Sequence, residues 1–250
     1  MIEYTKINSQ TWDLWADNGC EWSVPISHDE YEAVSEGNFG VYLTPCITVP
    51  HEWFGDLKNK RLLGLASGGG QQMPIFAAAG ADCTVLDYSR KQLESEDLVS
   101  RREGYAINIL CGDMTKPLPF PDESFDLIFH PVSNVYVREV EPIFRECFRI
   151  LKPGGILLAG LDNGINFLVD SDETHIVNQM PFDPLTNPEQ RKSLEEEDCG
   201  MQFSHTLEEQ IGGQLKAGFR LVDLYEDTNG SGYLHELNIK TFFATKAVKE

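Results

Sequence analysis

Two carboxylates placed downstream of a glycine run are the residues of this chain best spaced for chemistry. Gly68-Gly69-Gly70 presents backbone free of side chains, which lets a ligand approach closely. Asp87 ends the β-rich run Cys83-Thr84-Val85-Leu86, about twenty residues beyond those glycines, the offset at which an acid meets ribose hydroxyls. Asp113, in Cys111-Gly112-Asp113-Met114, follows a further short strand, Ile107-Asn108-Ile109-Leu110, and a carboxylate there can accept an exocyclic adenine amine. A third group, His130-Pro131-Val132-Ser133-Asn134-Val135-Tyr136, closes the apolar run before it. His130 titrates near neutrality and is a candidate general base for an acceptor that must lose a proton, with Tyr136 as a second catalytic candidate. The competing reading of His130 is a ring packed against a cofactor or bonded to a loop carbonyl.

The elements that must hold these groups follow from pattern. Arg61 to Leu65 reads as a strand feeding the glycine loop, and Gln72 to Ala79 as a helix with Pro74 in its first turn, ended by Gly80. In an open α/β sheet such a loop lies outside the carboxyl end of its strand, where nucleotides bind. A dinucleotide fingerprint, G-x-G-x-x-G or A, is met at Gly68 and Gly70 but falls on Met73 at its third small position. That weakens an NAD(P)-dependent oxidoreductase, which stays an alternative.

From about residue 60 to 162, and again from about 205 to 247, the chain resembles the class I S-adenosylmethionine-dependent methyltransferases. Leu62 to Gly70 matches the glycine-rich first motif, Val85 to Ser89 the second and Gly112-Asp113-Met114 the third. Phe125 to Phe129 matches the fourth strand, and Ile150 to Leu157 the segment leading into the fifth. The first motif, Leu65-Ala66-Ser67-Gly68-Gly69-Gly70-Gln71-Gln72, resembles that of a bacterial subgroup. The resemblance implies a Rossmann-like, doubly wound, mostly parallel seven-stranded sheet with an antiparallel last strand. It implies S-adenosylmethionine as cofactor, met by Ala66, Ser67, Gly68, Gly69 and Gln72 in the first motif and by Asp87, Tyr88, Ser89 and Gln92 in and after the second. Gly112, Asp113, Met114, His130 and Ser133 complete that set. Two positions depart from the family: Gly64 stands where an acid is usual, and Ala66 where a glycine is usual.

Methyl transfer from a sulfonium is an in-line displacement, which alignment and exclusion of solvent favour strongly. A protein that binds the cofactor without catalysis would carry the same motifs and is the other alternative.

The remaining segments are expected to frame the acceptor. Residues 1–55 read as an N-terminal cap or substrate segment ahead of a methyltransferase domain over 56–250. They hold all four tryptophans: Trp12, Trp15 and Trp22 either face a substrate or anchor the cap, and Trp53 reads as an anchor. Asn134 is a further candidate substrate contact. Residues 162–205 lose periodicity and read as an insertion or lid after the fifth strand. Ser89 with Gln92, and Thr206 with Glu209, resemble capping boxes that open helices. Val140, Ile143, Phe144, Cys147, Phe148 and Leu151 fall at helical spacing over about 138–151, as do Leu207, Ile211 and Leu215 further on. Phe219 to Tyr225 and Leu237 to Ala247 read as paired strands.

Composition narrows the partners. A net charge of −20 disfavours nucleic acid and leaves a small molecule as the expected acceptor. No apolar run is long enough for a membrane span and no secretory signal opens the chain, so a cytoplasmic protein is expected. Six cysteines without C-x-x-C spacing read as free thiols, and scattered histidines argue against a metal site. Nothing in the sequence sets an oligomeric state.

Overall fold

A computed structural model describes residues 2–34 and 39–250. Seven strands form one sheet in the order β3-β2-β1-β4-β5-β7-β6. They are β1 Arg61–Leu65, β2 Asp82–Asp87, β3 Ile107–Cys111, β4 Phe125–His130, β5 Leu151–Asp162, β6 Phe219–Asp227 and β7 Phe242–Lys249. The first five pair in parallel, and β7 runs antiparallel to both β5 and β6. The expected doubly wound sheet with an antiparallel last strand is therefore observed. Strand order reverses between β1 and β4, which opens a crevice at their carboxyl ends.

Successive residues of a strand face opposite ways, so β1 serves two cores at once. Leu62 packs with Met73, Phe76, Val85 and Phe129 on one face, while Leu63 and Leu65 pack with Ile128, Phe144 and Leu157 on the other. The first face is covered by α2 (His28–Val34), α3 (Gln72–Ala78) and α4 (Arg90–Glu103), the second by α5 (Glu141–Ile150) and α7 (Leu207–Ala217). In α5 the buried residues are Ile143, Phe144, Cys147 and Ile150, a single apolar stripe.

The N-terminal residues share this core. Val41, Leu43, Val49 and Trp53 pack on the first face, and the Trp53 indole N–H donates to Asp223 at 3.0 Å. Helix α1 (Tyr4–Asp17) reaches the segments around Tyr136 and Met201 through one buried side chain, Asn8. Its amide nitrogen donates to the carbonyls of Tyr136 and Met201, both at 2.9 Å, and its oxygen accepts from the Met201 N–H at 2.6 Å. Within residues 162–205, Phe167, Phe182 and Leu194 pack on Val135 as a small core of their own, with Leu194 carried by α6 (Pro188–Glu196).

Three expectations change. Residues 237–241 are not strand: Gly232–Glu236 forms a short helix, α8, and β7 begins only at Phe242. Helix α7 turns Gln210, Gly213 and Gln214 inward and leaves Leu207 and Leu215 about half exposed. Gln214 bonds Thr245 and Gln210 bonds Asn134, so satisfied polar contacts outweigh the apolar count in setting that face. Finally, Thr206 and Glu209 make a complete capping box, but Ser89 makes half of one. Ser89 Oγ accepts from the Gln92 N–H, while the Ser89 N–H goes to Asp87 and the Gln92 side chain goes to Ser23. No helix among the described residues is long and apolar enough to cross a membrane.

Candidate functional site

The crevice at the strand ends opens into a cavity of about 1250 Å³. Pockets for one small molecule run from roughly 300 to 1,000 Å³, so this space accommodates a cofactor together with an acceptor.

One half is built around the glycine loop. Asp87 Oδ2 accepts the Gly68 N–H at 3.0 Å and Oδ1 the Ser89 N–H at 2.8 Å. Burial pushes this carboxyl up from its ordinary value, and the N–H groups of Ser89, Gly68 and Tyr88 oppose the shift. Beneath the loop, the fully buried Glu96 accepts the Gly70 N–H at 2.7 Å. Its other oxygen has no partner, and burial pushes it up to about 8, so it is largely protonated at neutral pH. Asp13 of α1 reaches across to accept from Ser89 Oγ at 2.6 Å and the Lys91 N–H at 3.0 Å, which ties α1 to the start of α4. Asp113 Oδ1 is held by the Thr115 N–H and hydroxyl at 2.9 and 2.7 Å.

The two departures of the first motif have structural counterparts. A Cβ on Gly64 would lie 2.6 Å from the Met73 sulfur and 2.8 Å from its terminal carbon. The buried thioether therefore occupies the direction in which an acid would project. Ala66 sits at φ +50°, a left-handed conformation in which a Cβ costs about 1 kcal/mol relative to glycine.

The sequence-predicted cofactor residues Ala66, Ser67, Gly68, Gln72, Asp87, Tyr88, Ser89, Gln92, Gly112, Asp113, Met114 and Ser133 all line this cavity. Gly69 does not; it lies behind the wall, where an added Cβ would meet the Gln92 oxygen at 2.6 Å. Trp12 and Trp22 are on the wall, and Tyr136 stands edge-on to Trp12 with centroids 5.6 Å apart. Trp15 packs behind Trp12 and is off the wall.

His130 and Asn134 are also off the wall. His130 is fully buried, with Nδ1 2.9 Å from the Leu65 carbonyl and Nε2 2.9 Å from the Asn134 amide oxygen. Burial lowers its pKa, so the ring is neutral and carries one N–H, which the carbonyl takes. Exchanging the amide ends of Asn134 and Gln210 then gives Nε2 a donor, at the expense only of a 3.5 Å contact from Gln210 to the Asp162 carbonyl. Both nitrogens are committed, and the general base expected at His130 is instead a brace between β1, β4 and α7. Tyr136 does line the cavity, but burial raises its pKa well above the ordinary phenol, so it works as a hydroxyl and not as a phenolate.

The donor set fits the cofactor that the resemblance implies. Gly68 leaves open a cradle that a Cβ would fill, 2.7 Å from Gln92 Cβ and 3.1 Å from Asp87 Oδ2, and Gln92 Oε1 is a buried acceptor without a partner. Among the described residues no cluster of His, Cys, Asp or Glu could hold a metal ion. The thiols that the sequence reads as free are unpaired.

Comparison with known proteins follows the same lines. Residues 63–159 match the family model described as a methyltransferase domain. Over 97% of its length, and 97% of the relative's, the chain is 41% identical to a protein of Bacillus subtilis named uncharacterized methyltransferase YbaJ. Over 104 residues, 42% of each chain, it is 35% identical to the demethylmenaquinone methyltransferase of Renibacterium salmoninarum. A crystal structure of an S-adenosylmethionine-dependent methyltransferase from Mesorhizobium loti superposes with a TM-score of 0.63 at 19% identity, covering 79% of this chain and 94% of that one. The fold and crevice define a Rossmann-like α/β enzyme. Within that class, the chain belongs to the methyltransferase family.

Proposed function

We propose that this methyltransferase moves a methyl group from S-adenosylmethionine to a small-molecule acceptor. The observation that carries this reading is the convergence of Asp87, Asp113, Met114 and the glycine loop on one half of a cavity whose other half stays open to a second ligand. When bound, the cofactor supplies an electrophilic methyl on sulfur. On this reading Asp87 takes the ribose hydroxyls, Asp113 and the Met114 backbone take the adenine, and Ala66, Ser67 and Gly68 meet the methionine part. Trp12, Trp22 and Tyr136 exclude water from the acceptor side, and the Tyr136 hydroxyl offers it a hydrogen bond. Rate then comes from alignment and desolvation, with His130 holding the strand ends in place.

Calorimetric titration with S-adenosylmethionine, S-adenosylhomocysteine and NADH tests this. The first two should bind, and Asp87→Ala should weaken them by about two orders of magnitude, as loss of a charge-assisted hydrogen-bonding group does. NADH binding in their place would overturn the reading. Binding of the first two with no release of S-adenosylhomocysteine in the presence of any metabolite fraction would leave a binding protein without catalysis.

A further inference from the structure

The acceptor half of the cavity has a charge pattern that the family reading does not require. Lys and Arg number 20 and His 6 among 250 residues, so a wall of this size drawn evenly from the chain would include several of them. Among the described residues, none lines the cavity. Carboxylates do: Asp162, Asp170, Glu173, Glu189 and Glu197 lie on the acceptor side. Of these only Asp170 is ion-paired among the described residues, with His175 at 3.2 Å on the exposed surface. Glu173 is bonded to neutral donors, the Asn229 amide and the Leu234 N–H.

Asp162 is the deepest of the five. It ends β5, is 2% exposed, and accepts from the Gly164 N–H at 2.6 Å and the Asn166 amide at 3.1 Å. Burial pushes it up to about 6, which leaves it ionised at neutral pH with no cation against it. Phe242, its register partner on β7, and Phe167 stand on the same wall, and aromatic rings there suit a positive group.

Resting on the methyl-transfer reading, we infer that the acceptor is an amine-bearing small molecule whose ammonium anchors it at Asp162, with Phe167 and Phe242 beside it, while a different atom, one that carries a lone pair, takes the methyl, and that carboxylates and phosphate esters are excluded. An anionic acceptor entering this space would give up its hydration for walls that hold no counter-charge, and would face uncompensated carboxylates. An amine meets the opposite condition. The acidic lining also raises the local concentration of cations, so amine binding weakens with added salt.

Three probes of one shape separate the charge states: 2-phenylethylamine, 2-phenylethanol and phenylacetate. Each is titrated into protein saturated with S-adenosylhomocysteine, and again without it, with binding read by ligand-observed NMR and calorimetry. The amine should bind at least tenfold more tightly than either partner, and Asp162→Asn should remove most of that preference. Glu197→Lys is a second variant whose fold is protected, because this exposed residue caps the C-terminal end of α6, where a cation suits the helix dipole. It should narrow the gap between amine and phenylacetate. Phenylacetate or the alcohol binding as well as the amine, or no amine binding at millimolar concentration, would overturn the proposal. Failure of S-adenosylhomocysteine to bind removes the methyl-transfer reading alone, since the amine preference is read separately. S-adenosylhomocysteine binding without that preference removes only the acceptor class.

Discussion

The glycine-loop half of the cleft takes most of its wall from residues 66–114, where each polar group ends a strand or sits in the turn that follows, whereas the acceptor half draws on residues 5–45, 131–137 and 162–242. In the first half the two acids find their partners near in sequence, Asp87 with Gly68 and Ser89 and Asp113 with Thr115, and the long-range ties are the outer ones, Ser89 to Asp13 and Gln92 to Ser23. In the second, Asp162 is held locally by Gly164 and Asn166, but the segments themselves are joined over long distances, as in the clip that joins Asn8 to Met201 across 193 positions. Local motifs form their geometry at small loop-closure cost, while distant contacts need the whole sheet in place before they are rewarded. The cofactor half is thus specified by short stretches of chain, and the acceptor half by packing between segments that are each incomplete alone.

Three substitutions probe that contrast. The largest effect is expected at Glu96, the buried acid under the glycine loop. Its folded-state pKa, about 8, lies above the ordinary 4.5, so the folded protein holds a proton that the unfolded chain releases. Stability from this group is therefore full below pH about 4.5 and falls as pH rises to about 8. Glu96→Gln keeps an oxygen for the Gly70 N–H and removes the titration. It should gain about 1–3 kcal/mol at pH 8 and almost nothing at pH 4.5. Thermal melts across that range check it, and an equal gain at both ends would show that the acid does not titrate there.

Asn8→Ala comes next. It removes all three hydrogen bonds of the clip and leaves buried carbonyls at Tyr136 and Met201 unmet, at a cost of about 1–3 kcal/mol. Hydrogen exchange should rise in α1 and around residues 199–203, with β1 and β2 unchanged. Equal loosening of the strands would mean that the two halves are one cooperative unit and that the contrast is false.

The smallest effect is at Ala66. Ala66→Gly relieves the Cβ at φ +50° but loosens the unfolded chain, and the two nearly cancel to within about 1 kcal/mol. The useful readout is affinity for S-adenosylhomocysteine. A rise by a few-fold would show that the loop pays for the alanine when it binds, and no change would place the strain outside the binding step.

The contrast also explains what the sequence reveals. The strands, the glycine loop, Asp87 and Asp113 are legible because period-two burial and turn chemistry are local signals. Three site features are not. Met73 reads as a flaw in a dinucleotide fingerprint, and only the fold shows it filling the space beside Gly64. Asp162 ends a strand like several other acids, and its isolation from cations depends on which residues surround it in space. His130 looks like a base because its type allows it, whereas its partners Leu65 and Asn134 commit both ring nitrogens. The face of α7 follows the same rule: apolar spacing nominates Leu207 and Leu215, but hydrogen bonds to Asn134 and Thr245 turn Gln210 and Gln214 inward.

By itself the sequence determined the strands, the glycine loop and the acids that end them, because hydrophobic period and glycine turns act over a few residues and leave the backbone little choice, and the doubly wound sheet followed from the resemblance those motifs carry. Tertiary structure alone decided which titratable groups face the cavity, which are buried as braces, and that among the described residues no Lys, Arg or His lines the acceptor wall. Burial and electrostatic environment are properties of neighbours in space, and folding brings those neighbours from distant parts of the chain.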